Sequence, residues 1–212
     1  MNKLNKKIIM SPASIPTIKR LPSYLYLVRK AKEEGIEVIS GTVIANDLDL
    51  EPIQVRKDLA STGIIGKPRV GYRVDELIKA IENFLNWDKK HNAILIGAGN
   101  LGTALLGYKE FSKNGLNFIG AFDIDNSKIG TEIHNTPIYD ISSLQNFTQK
   151  ENIKIAVLTV RSGIAQKVAD QIIATGIKTI WNFTKVKIKV PEDVLLLKED
   201  LSSSYAVLSV YS

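Results

Sequence analysis

A glycine-rich turn limits what this chain can fold into more than any other feature of its sequence. The hexapeptide Gly97-Ala98-Gly99-Asn100-Leu101-Gly102 follows an apolar run at residues 93–96 and precedes a helix-forming run at residues 103–106. At such a strand-to-helix turn, the first glycine permits the tight bend and the second lets the backbone approach a pyrophosphate. The third lets the helix pack closely on the strand. The pattern therefore predicts a Rossmann-like unit that binds a dinucleotide through this hexapeptide.

A carboxylate follows at the distance expected for a contact to the ribose. Asp123 ends the next predicted strand, 21 residues after Gly102. In this fold a carboxylate at that place accepts hydrogen bonds from the hydroxyls of the adenosine ribose. Its negative charge would repel a 2′-phosphate, which favours NAD(H) over NADP(H). The alternative is a vestigial Rossmann domain that binds no nucleotide.

Short apolar strands alternate with helices around this motif, which is typical of a parallel sheet covered by helices. A Rossmann-like unit from residue 88 to about residue 195 leaves only about 17 residues of the 212-residue chain. That remainder is too short for the substrate domain of a dehydrogenase, so we expect no enzyme and no catalytic residue. The predicted strands span residues 93–96, 116–122, 155–160 and 178–183, and the predicted helices end near residues 114 and 174.

The first third of the chain predicts a different fold, a winged helix. Two short helices joined by a tight turn precede the stretch 63–74, whose apolar ends flank a tip of glycine, proline and basic residues, as in a β-hairpin. Gly35 ends the first helix, and Asp75 is predicted to cap the last one. The predicted helices span residues 14–32, 42–48, 51–60 and 75–86.

The third of these helices is the predicted recognition helix. Proline at its start suits a first turn, where the missing N–H has no helical partner. The spacing predicts that Ile53 and Leu59 are buried, while Gln54, Arg56 and Lys57 remain outside.

Positive charge is concentrated in this N-terminal region. The first 32 residues contain eight bases and no acid, and residues 52–74 contain five bases against Asp58 alone. Residues 84–212 are nearly neutral, with 14 bases and 12 acids, although the chain has a net charge of +6. A solvated surface with a basic tail would explain the charge by itself. On a winged helix, however, it predicts double-stranded DNA as the partner.

The composition excludes several kinds of chemistry. The chain has no cysteine, so it can form no disulfide, thiolate-ligated metal centre or nucleophilic thiol, and any redox role requires a bound molecule. His91 and His134 have no ligand spacing, and we expect ordinary surface histidines and no metal site. No apolar run reaches about 18 residues, and no secretory segment follows the N-terminus. We therefore expect a cytoplasmic protein without membrane contact.

These patterns divide the chain at the polar connector 87–91. We expect a winged-helix DNA-binding domain over residues 1–86 and a Rossmann NAD(H)-binding domain over residues 87–199. A C-terminal helix would follow over residues 200–212. The fold class is α/β.

Further motifs extend along nearly the whole chain. They are Ile18-Lys19-Arg20-Leu21-Pro22, Gln54-Val55-Arg56-Lys57-Asp58-Leu59, Val70-Gly71-Tyr72, the glycine-rich hexapeptide, Phe122-Asp123-Ile124-Asp125 with Lys128-Ile129-Gly130, residues 165–170, Gly176-Ile177-Lys178, Asn182-Phe183 and Val190-Pro191. Together they resemble the Rex family of bacterial redox-sensing transcriptional repressors. The resemblance implies a homodimer that binds a palindromic operator with NAD+ or without nucleotide, and that releases DNA when NADH binds. The alternative is a small NAD-dependent oxidoreductase or a cofactor-binding remnant.

The resemblance also implies roles for particular residues. Tyr108 would lie near the nicotinamide, and Asp200 would be supplied by the other subunit. These two residues would form the pair that acts as the switch. The C-terminal helix would swap between subunits. The implied DNA contacts are Lys19, Gln54, Arg56, Lys57, Lys67, Arg69 and Tyr72. The implied nucleotide contacts are Gly97, Ala98, Gly99, Asn100, Leu101, Gly102, Tyr108, Asp123, Ile124, Thr159, Val160 and Asp200.

Four positions depart from the family pattern. Ala60-Ser61-Thr62 replaces a serine followed by aromatics, and Pro68-Arg69 stands where the wing usually has an arginine-glycine pair. Tyr26 occupies a position where an arginine is common, and Arg161 replaces a common proline.

Overall fold

The computed structural model describes residues 13–212, so Lys3, Lys6 and Lys7 of the basic N-terminus lie outside the described residues. The chain divides into two compact units between Lys89 and Lys90. The division falls three residues beyond the expected boundary because Trp87 packs against the N-terminal core.

Within residues 13–89, the N-terminal unit contains four helices and two very short strands. Ser14 caps α1 by accepting the Thr17 N–H, and Ser40 caps α2 by accepting the Val43 N–H. Gly35, with φ of 77°, ends α1 as expected. The elements are α1 (Ile15–Glu33), β1 (Val38–Ile39), α2 (Gly41–Asp47), α3 (Pro52–Ala60), β2 (Tyr72–Arg73) and α4 (Val74–Leu85).

The core of this unit lies where α1 packs against α4 and α3. Leu21 and Leu25 of α1 and Leu77 of α4 are essentially fully buried. The expectation for α3 is half wrong: Leu59 is buried, but Ile53 is 58% exposed, and Val55 takes its place inside. Val55 and Leu59 are four residues apart and therefore lie on one helix face, whereas Ile53 lies outside that face.

Two details differ from the predictions, one in the wing, which comprises residues 63–74, and one at the start of α4. The arms of the wing share only an isolated bridge between Lys67 and Gly71, while β2 pairs antiparallel with β1 instead. Asp75 does not cap α4, because the helix begins one residue earlier with Arg73 as its N-cap. Asp75 instead lies in the first turn, where a carboxylate interacts favourably with the helix dipole.

The C-terminal unit is a seven-stranded sheet in the order β5-β6-β4-β3-β7-β8-β9. All neighbouring strands run parallel except the β5–β6 pair at one edge. Without that edge strand, the order is that of a dinucleotide-binding Rossmann sheet. The strands are β3 (His91–Ile96), β4 (Leu116–Asp123), β5 (Glu132–Ile133), β6 (Thr136–Asp140), β7 (Ile155–Leu158), β8 (Thr179–Asn182) and β9 (Leu195–Lys198). The helices are α5 (Asn100–Leu106), α6 (Lys109–Lys113), α7 (Leu144–Lys150), α8 (Ala165–Ala174) and α9 (Leu201–Tyr211).

Alternate residues of β3 enter different cores on the two faces of the sheet. Ile94 and Ile96 join one buried cluster and Leu95 joins the other. The helix predicted to reach residue 114 is broken at Gly107, and His91 begins β3 rather than lying in the connector. The sequence patterns did not predict β5, β6, α7 or β9.

Candidate functional site

The glycine-rich hexapeptide forms the connection from β3 to α5, as predicted. Gly97 has φ of 101°, and a Cβ there would lie 3.0 Å from the Thr159 carbonyl oxygen. A Cβ on Gly102 would overlap the Gly97 carbonyl oxygen. At Gly99, by contrast, a Cβ would meet nothing within 4 Å. Two glycines are therefore required by the protein's own packing, while the third faces open space that a ligand can approach.

Thr159 and Val160 follow β7, the strand beside β3. The Thr159 hydroxyl donates to the carbonyl oxygens of Gly97 (2.7 Å) and Ile96 (3.1 Å). Chain connections leave β3 and β7 towards opposite sides of the sheet, and open α/β sheets bind ligands at such a switch point. These two hydrogen bonds hold the glycine-rich turn in place beside the end of β7.

Asp123 ends β4 with a mostly buried side chain that is 13% exposed. Its Oδ2 accepts the Ala98 N–H at 2.7 Å, and its Oδ1 accepts the N–H groups of Ile124 (2.7 Å) and Asp125 (3.1 Å). A carboxylate has about four acceptor sites, so capacity for ribose hydroxyls remains. Ala98 itself is buried and its N–H is occupied. It therefore links the loop to Asp123 rather than offering a donor to a ligand.

Lys128, which the sequence analysis quoted within a motif but did not name as a nucleotide contact, is a residue of this site. Its ammonium donates to the Ala98 carbonyl oxygen at 3.1 Å and lies 3.6 Å from an Asp125 carboxylate oxygen and 4.0 Å from Asp123. The signal was present, because two acids and a lysine lie within six residues directly after a buried strand.

The residues fit a dinucleotide. The first turn of α5 has no side-chain cap, because Gly99 occupies the N-cap position. The N–H groups of that turn have no helical partner and suit an anionic phosphate oxygen. Together with the open space above Gly99 and the carboxylate of Asp123, they match the two ends of an adenosine pyrophosphate.

Three predicted nucleotide contacts lie on the surface of this unit. Tyr108 is 54% exposed and packs edge-on against Phe111, with ring centroids 4.8 Å apart, and Ile124 is 71% exposed. Asp200 caps α9 by accepting the Ser202 N–H at 3.0 Å. Within the described residues, Tyr108 and Asp200 form no hydrogen bond with each other. One chain alone does not assemble this pair.

The predicted DNA contacts occupy α1, α3 and the wing of the other unit. Lys19, Arg56, Lys57, Lys67 and Arg69 are all exposed. Arg69 has φ of 61°, the left-handed conformation that glycine adopts most readily. The turn at Arg69 therefore costs the wing some conformational free energy that a glycine would not cost.

Two of the predicted contacts are engaged by residues of the unit itself. Tyr72 is only 9% exposed, and a Cβ on Gly66 would lie 2.8 Å from its ring. The wing backbone packs over the ring at Gly66, so only a small part of Tyr72 is open to a ligand. Gln54 donates from Nε2 to an Asp58 carboxylate oxygen at 2.9 Å, so part of its amide is occupied.

Asp58, which the sequence analysis named only for its charge and as part of a motif, is the centre of a buried polar network. It is 1% exposed and accepts from Arg20 Nε (2.7 Å), Arg20 Nη2 (2.9 Å), Tyr24 Oη (2.8 Å) and Thr17 Oγ1 (2.9 Å). Since Arg20, Tyr24 and Thr17 belong to α1, the network fixes α3 on α1.

The network changes the acidity of its members. Burial would raise the pKa of Asp58, but the hydrogen bonds from Arg20, Tyr24, Thr17 and Gln54 outweigh it and hold the pKa below its usual value. Burial, with the hydrogen bond to Asp58, raises the pKa of Tyr24 to about 12. The hydrogen bond to Asp58 raises the pKa of Arg20. At neutral pH the network therefore contains a carboxylate, a guanidinium and a neutral phenol.

Residues 13–212 contain neither a membrane-spanning helix nor a cluster of metal ligands. None of the helices in that range is both long enough and apolar enough to span a bilayer. No three histidine, aspartate or glutamate side chains there converge as a metal site requires.

Both units match protein-family models. Residues 13–60 match "Putative DNA-binding protein N-terminus", and residues 88–186 match "CoA binding domain". The match of the second model over the Rossmann sheet supports a nucleotide-binding fold.

The chain is also similar to characterised proteins over most of its length. It is 55% identical to the redox-sensing transcriptional repressor Rex of Treponema denticola, over 92% of this chain and 93% of that protein. It is 40% identical to the Rex of Bacteroides fragilis, over 91% and 88% of the two chains. Among solved structures, RSP in complex with beta-NAD+ and operator DNA matches with a TM-score of 0.87 and 35% identity, over 94% and 92% of the two chains. RSP in complex with beta-NADH matches with a TM-score of 0.83 and 34% identity, over 94% and 93%.

Proposed function

The chain belongs to the Rex family of redox-sensing transcriptional repressors, and on that premise we propose how its two units carry out repression. The protein is a DNA-binding repressor that responds to NADH and NAD+, not an enzyme. It binds operator DNA with NAD+ or without nucleotide and releases it when NADH binds. The observation that carries this conclusion is the 55% identity to a Rex repressor along 92% of the chain.

The nucleotide binds at the carboxyl ends of β3, β4 and β7. Gly97, Gly99 and Gly102 shape the turn, and the first-turn N–H groups of α5, including those of Asn100 and Leu101, receive the pyrophosphate. Support comes from the open space at Gly99 and the absence of a side-chain cap on α5. A bound nicotinamide cofactor supplies the redox signal, because the chain has no cysteine to carry it.

Asp123 selects NAD(H) over NADP(H). Its carboxylate accepts three backbone N–H groups, which hold it in a fixed position at the end of β4. A 2′-phosphate placed there would meet like charge, while ribose hydroxyls would meet an acceptor. Ile124 would cover the adenosine beside it, and Thr159 and Val160 would border the site from β7.

The N-terminal unit binds DNA through exposed cations. Arg56 and Lys57 of α3 lie in the major groove, Lys19 reaches the backbone from α1, and the wing tip with Lys67 and Arg69 follows an adjacent minor groove. The exposure of all five side chains and the shortage of acids among residues 52–74 support this. Gln54 and Tyr72 would act mainly by holding α3 and the wing in shape.

The protein is a homodimer in which α9 packs on a second copy. Tyr205, Val207, Leu208, Val210 and Tyr211 of α9 are all more than half exposed in the single chain. A run of apolar side chains on this scale is normally covered by a partner. A swapped α9 would also carry Asp200 to Tyr108 of the other copy and complete the switch pair that one chain lacks. We expect the dimer in the cytoplasm, where its DNA is.

Selection of DNA from a random pool tests this function directly. Full-length protein with NAD+ should enrich a palindrome, and the same selection with NADH should enrich much less DNA. The matched control is Asp123→Asn, which should enrich the same palindrome and should lose less enrichment than the wild type at an NADH concentration that just saturates the wild type. Enrichment of no sequence under any condition would overturn the proposal.

A further inference from the structure

Ile53 is the second residue of the recognition helix α3, and its side chain lies outside the core. It is 58% exposed, whereas Val55 and Leu59 of the same helix are fully buried. The helix is anchored through these two residues and through Asp58, so Ile53 adds little to the core of the unit. A single exposed isoleucine is common on protein surfaces, but the position of this one suggests a use.

The neighbours of Ile53 on the helix surface are cations. Arg56 and Lys57 follow three and four residues later, and residues at these spacings lie side by side on a helix. Both are exposed. A branched apolar side chain therefore stands beside two positive charges on the face assigned above to DNA. In a helix, isoleucine keeps essentially one χ1 rotamer, so ordering it against a ligand costs little entropy.

DNA phosphates can pair with the two cations, but they have no apolar surface that an isoleucine could contact. The apolar group that a base edge presents in the major groove is the 5-methyl group of thymine, and the first residues of a recognition helix reach base edges. Gln54, the neighbouring residue able to read a base, has an N–H donated to Asp58. Its second N–H and its carbonyl oxygen can still bind a base edge, but they are polar and do not suit a methyl group. Ile53 is the exposed apolar side chain at this end of α3.

We propose that Ile53 contacts the 5-methyl group of one thymine in each operator half-site and selects thymine at that position. The inference rests on the operator binding proposed above and adds a residue that determines sequence preference. Arg56 and Lys57 supply attraction to DNA of any sequence, and Ile53 supplies discrimination between thymine and a base without a methyl group.

Replacement of thymine by deoxyuridine tests the contact because it removes only the methyl group. The duplex enriched from a random pool is resynthesised with each thymine replaced in turn, and binding is followed by fluorescence anisotropy at fixed salt. At one position per half-site, deoxyuridine should weaken wild-type binding about fourfold, the effect of one buried methyl group at about 0.8 kcal/mol. Ile53→Ala should bind the thymine and deoxyuridine duplexes equally at that position, and Ile53→Val should retain the discrimination.

Val43→Ala is the matched control, since Val43 is a branched residue of α2 that is 56% exposed. It should discriminate thymine from deoxyuridine as the wild type does. The inference is wrong if no position responds to deoxyuridine, or if Ile53→Ala keeps the wild-type response at every position. Failure of the wild type to prefer the enriched duplex over random DNA would instead refute operator binding itself. Thermal unfolding of each variant should match the wild type, because neither side chain is buried.

Discussion

Removal of the Asp58 carboxylate should destabilise the N-terminal unit more than any exposed charge change can. The carboxylate accepts five hydrogen bonds, two from Arg20 and one each from Tyr24, Thr17 and Gln54. In Asp58→Ala, the fully buried Tyr24 hydroxyl loses this acceptor and the guanidinium loses its counter-charge.

Breaking a buried ion pair by removing one partner costs about 3–5 kcal/mol. The Arg20 side chain is 28% exposed, so water can partly replace the carboxylate, which favours the lower end of that range. The unsatisfied Tyr24 hydroxyl adds roughly 1–3 kcal/mol. We therefore expect Asp58→Ala to lower the free energy of unfolding of this unit by about 4 kcal/mol. Tyr24→Phe removes a single hydrogen bond to a charged group and should cost about 1.5 kcal/mol.

Urea unfolding followed by tryptophan fluorescence measures the effect in the full chain. The chain has two tryptophans, Trp87 packed on the N-terminal core and Trp181 in the other unit. In a Trp181→Phe background, the signal reports the N-terminal unit alone. Asp75→Ala is the control, because Asp75 also lies 2.7 Å from a cation, Lys32, but both side chains are about 60% exposed. It should shift the midpoint little. A loss below about 1 kcal/mol in Asp58→Ala, at unchanged slope, would refute the reasoning.

Four further predictions concern pH, salt, nucleotide and packing. Because the folded state raises the pKa of Tyr24 from 10.0 to about 12, its stabilisation is complete below pH 10 and is lost as the pH rises towards 12; Tyr24→Phe should flatten this alkaline loss in urea titrations. Arg56→Gln should reduce the slope of log affinity against log salt by about 0.9 for each phosphate that the arginine neutralises, and an unchanged slope would show that Arg56 neutralises none. Asp123→Asn should weaken NADH binding about tenfold or more in calorimetry, since a hydrogen bond to a charged group becomes one to a neutral group; wild-type affinity would place the ribose elsewhere. Gly102→Ala should lower the stability of the C-terminal unit by about 1–3 kcal/mol through the clash with the Gly97 carbonyl, and an unchanged melting temperature would contradict this.

Features that depend on local patterns could be predicted from the sequence. The glycine-rich turn, its strand and helix, and the end of β4 at Asp123 follow from short-range periodicity and from the steric demands of glycine. The N-terminal helices and the glycine that ends α1 were predictable for the same reason, since caps and apolar spacing act within a few residues.

Features that depend on distant residues could not be predicted. The burial of Asp58 depends on Arg20 and Tyr24, more than 30 positions earlier, so a residue that looks like one acid among bases is the centre of a network. Strand β2 finds its partner in β1 rather than in the other arm of the wing. A nine-residue helix has too few apolar residues for periodicity to show which face is buried. The sequence pattern therefore predicted that Ile53 is buried, whereas in the folded unit Val55 is buried instead.

The central claim is that NADH weakens DNA binding and NAD+ does not. A ligand can shift this equilibrium only by binding the two states differently. The direct measurement is the dissociation constant of a fluorescent operator duplex for the full-length protein, at saturating NADH and at saturating NAD+ in the same salt. A coupling of about 1–3 kcal/mol predicts binding about 5- to 150-fold weaker with NADH. Equal dissociation constants with the two nucleotides would contradict the account.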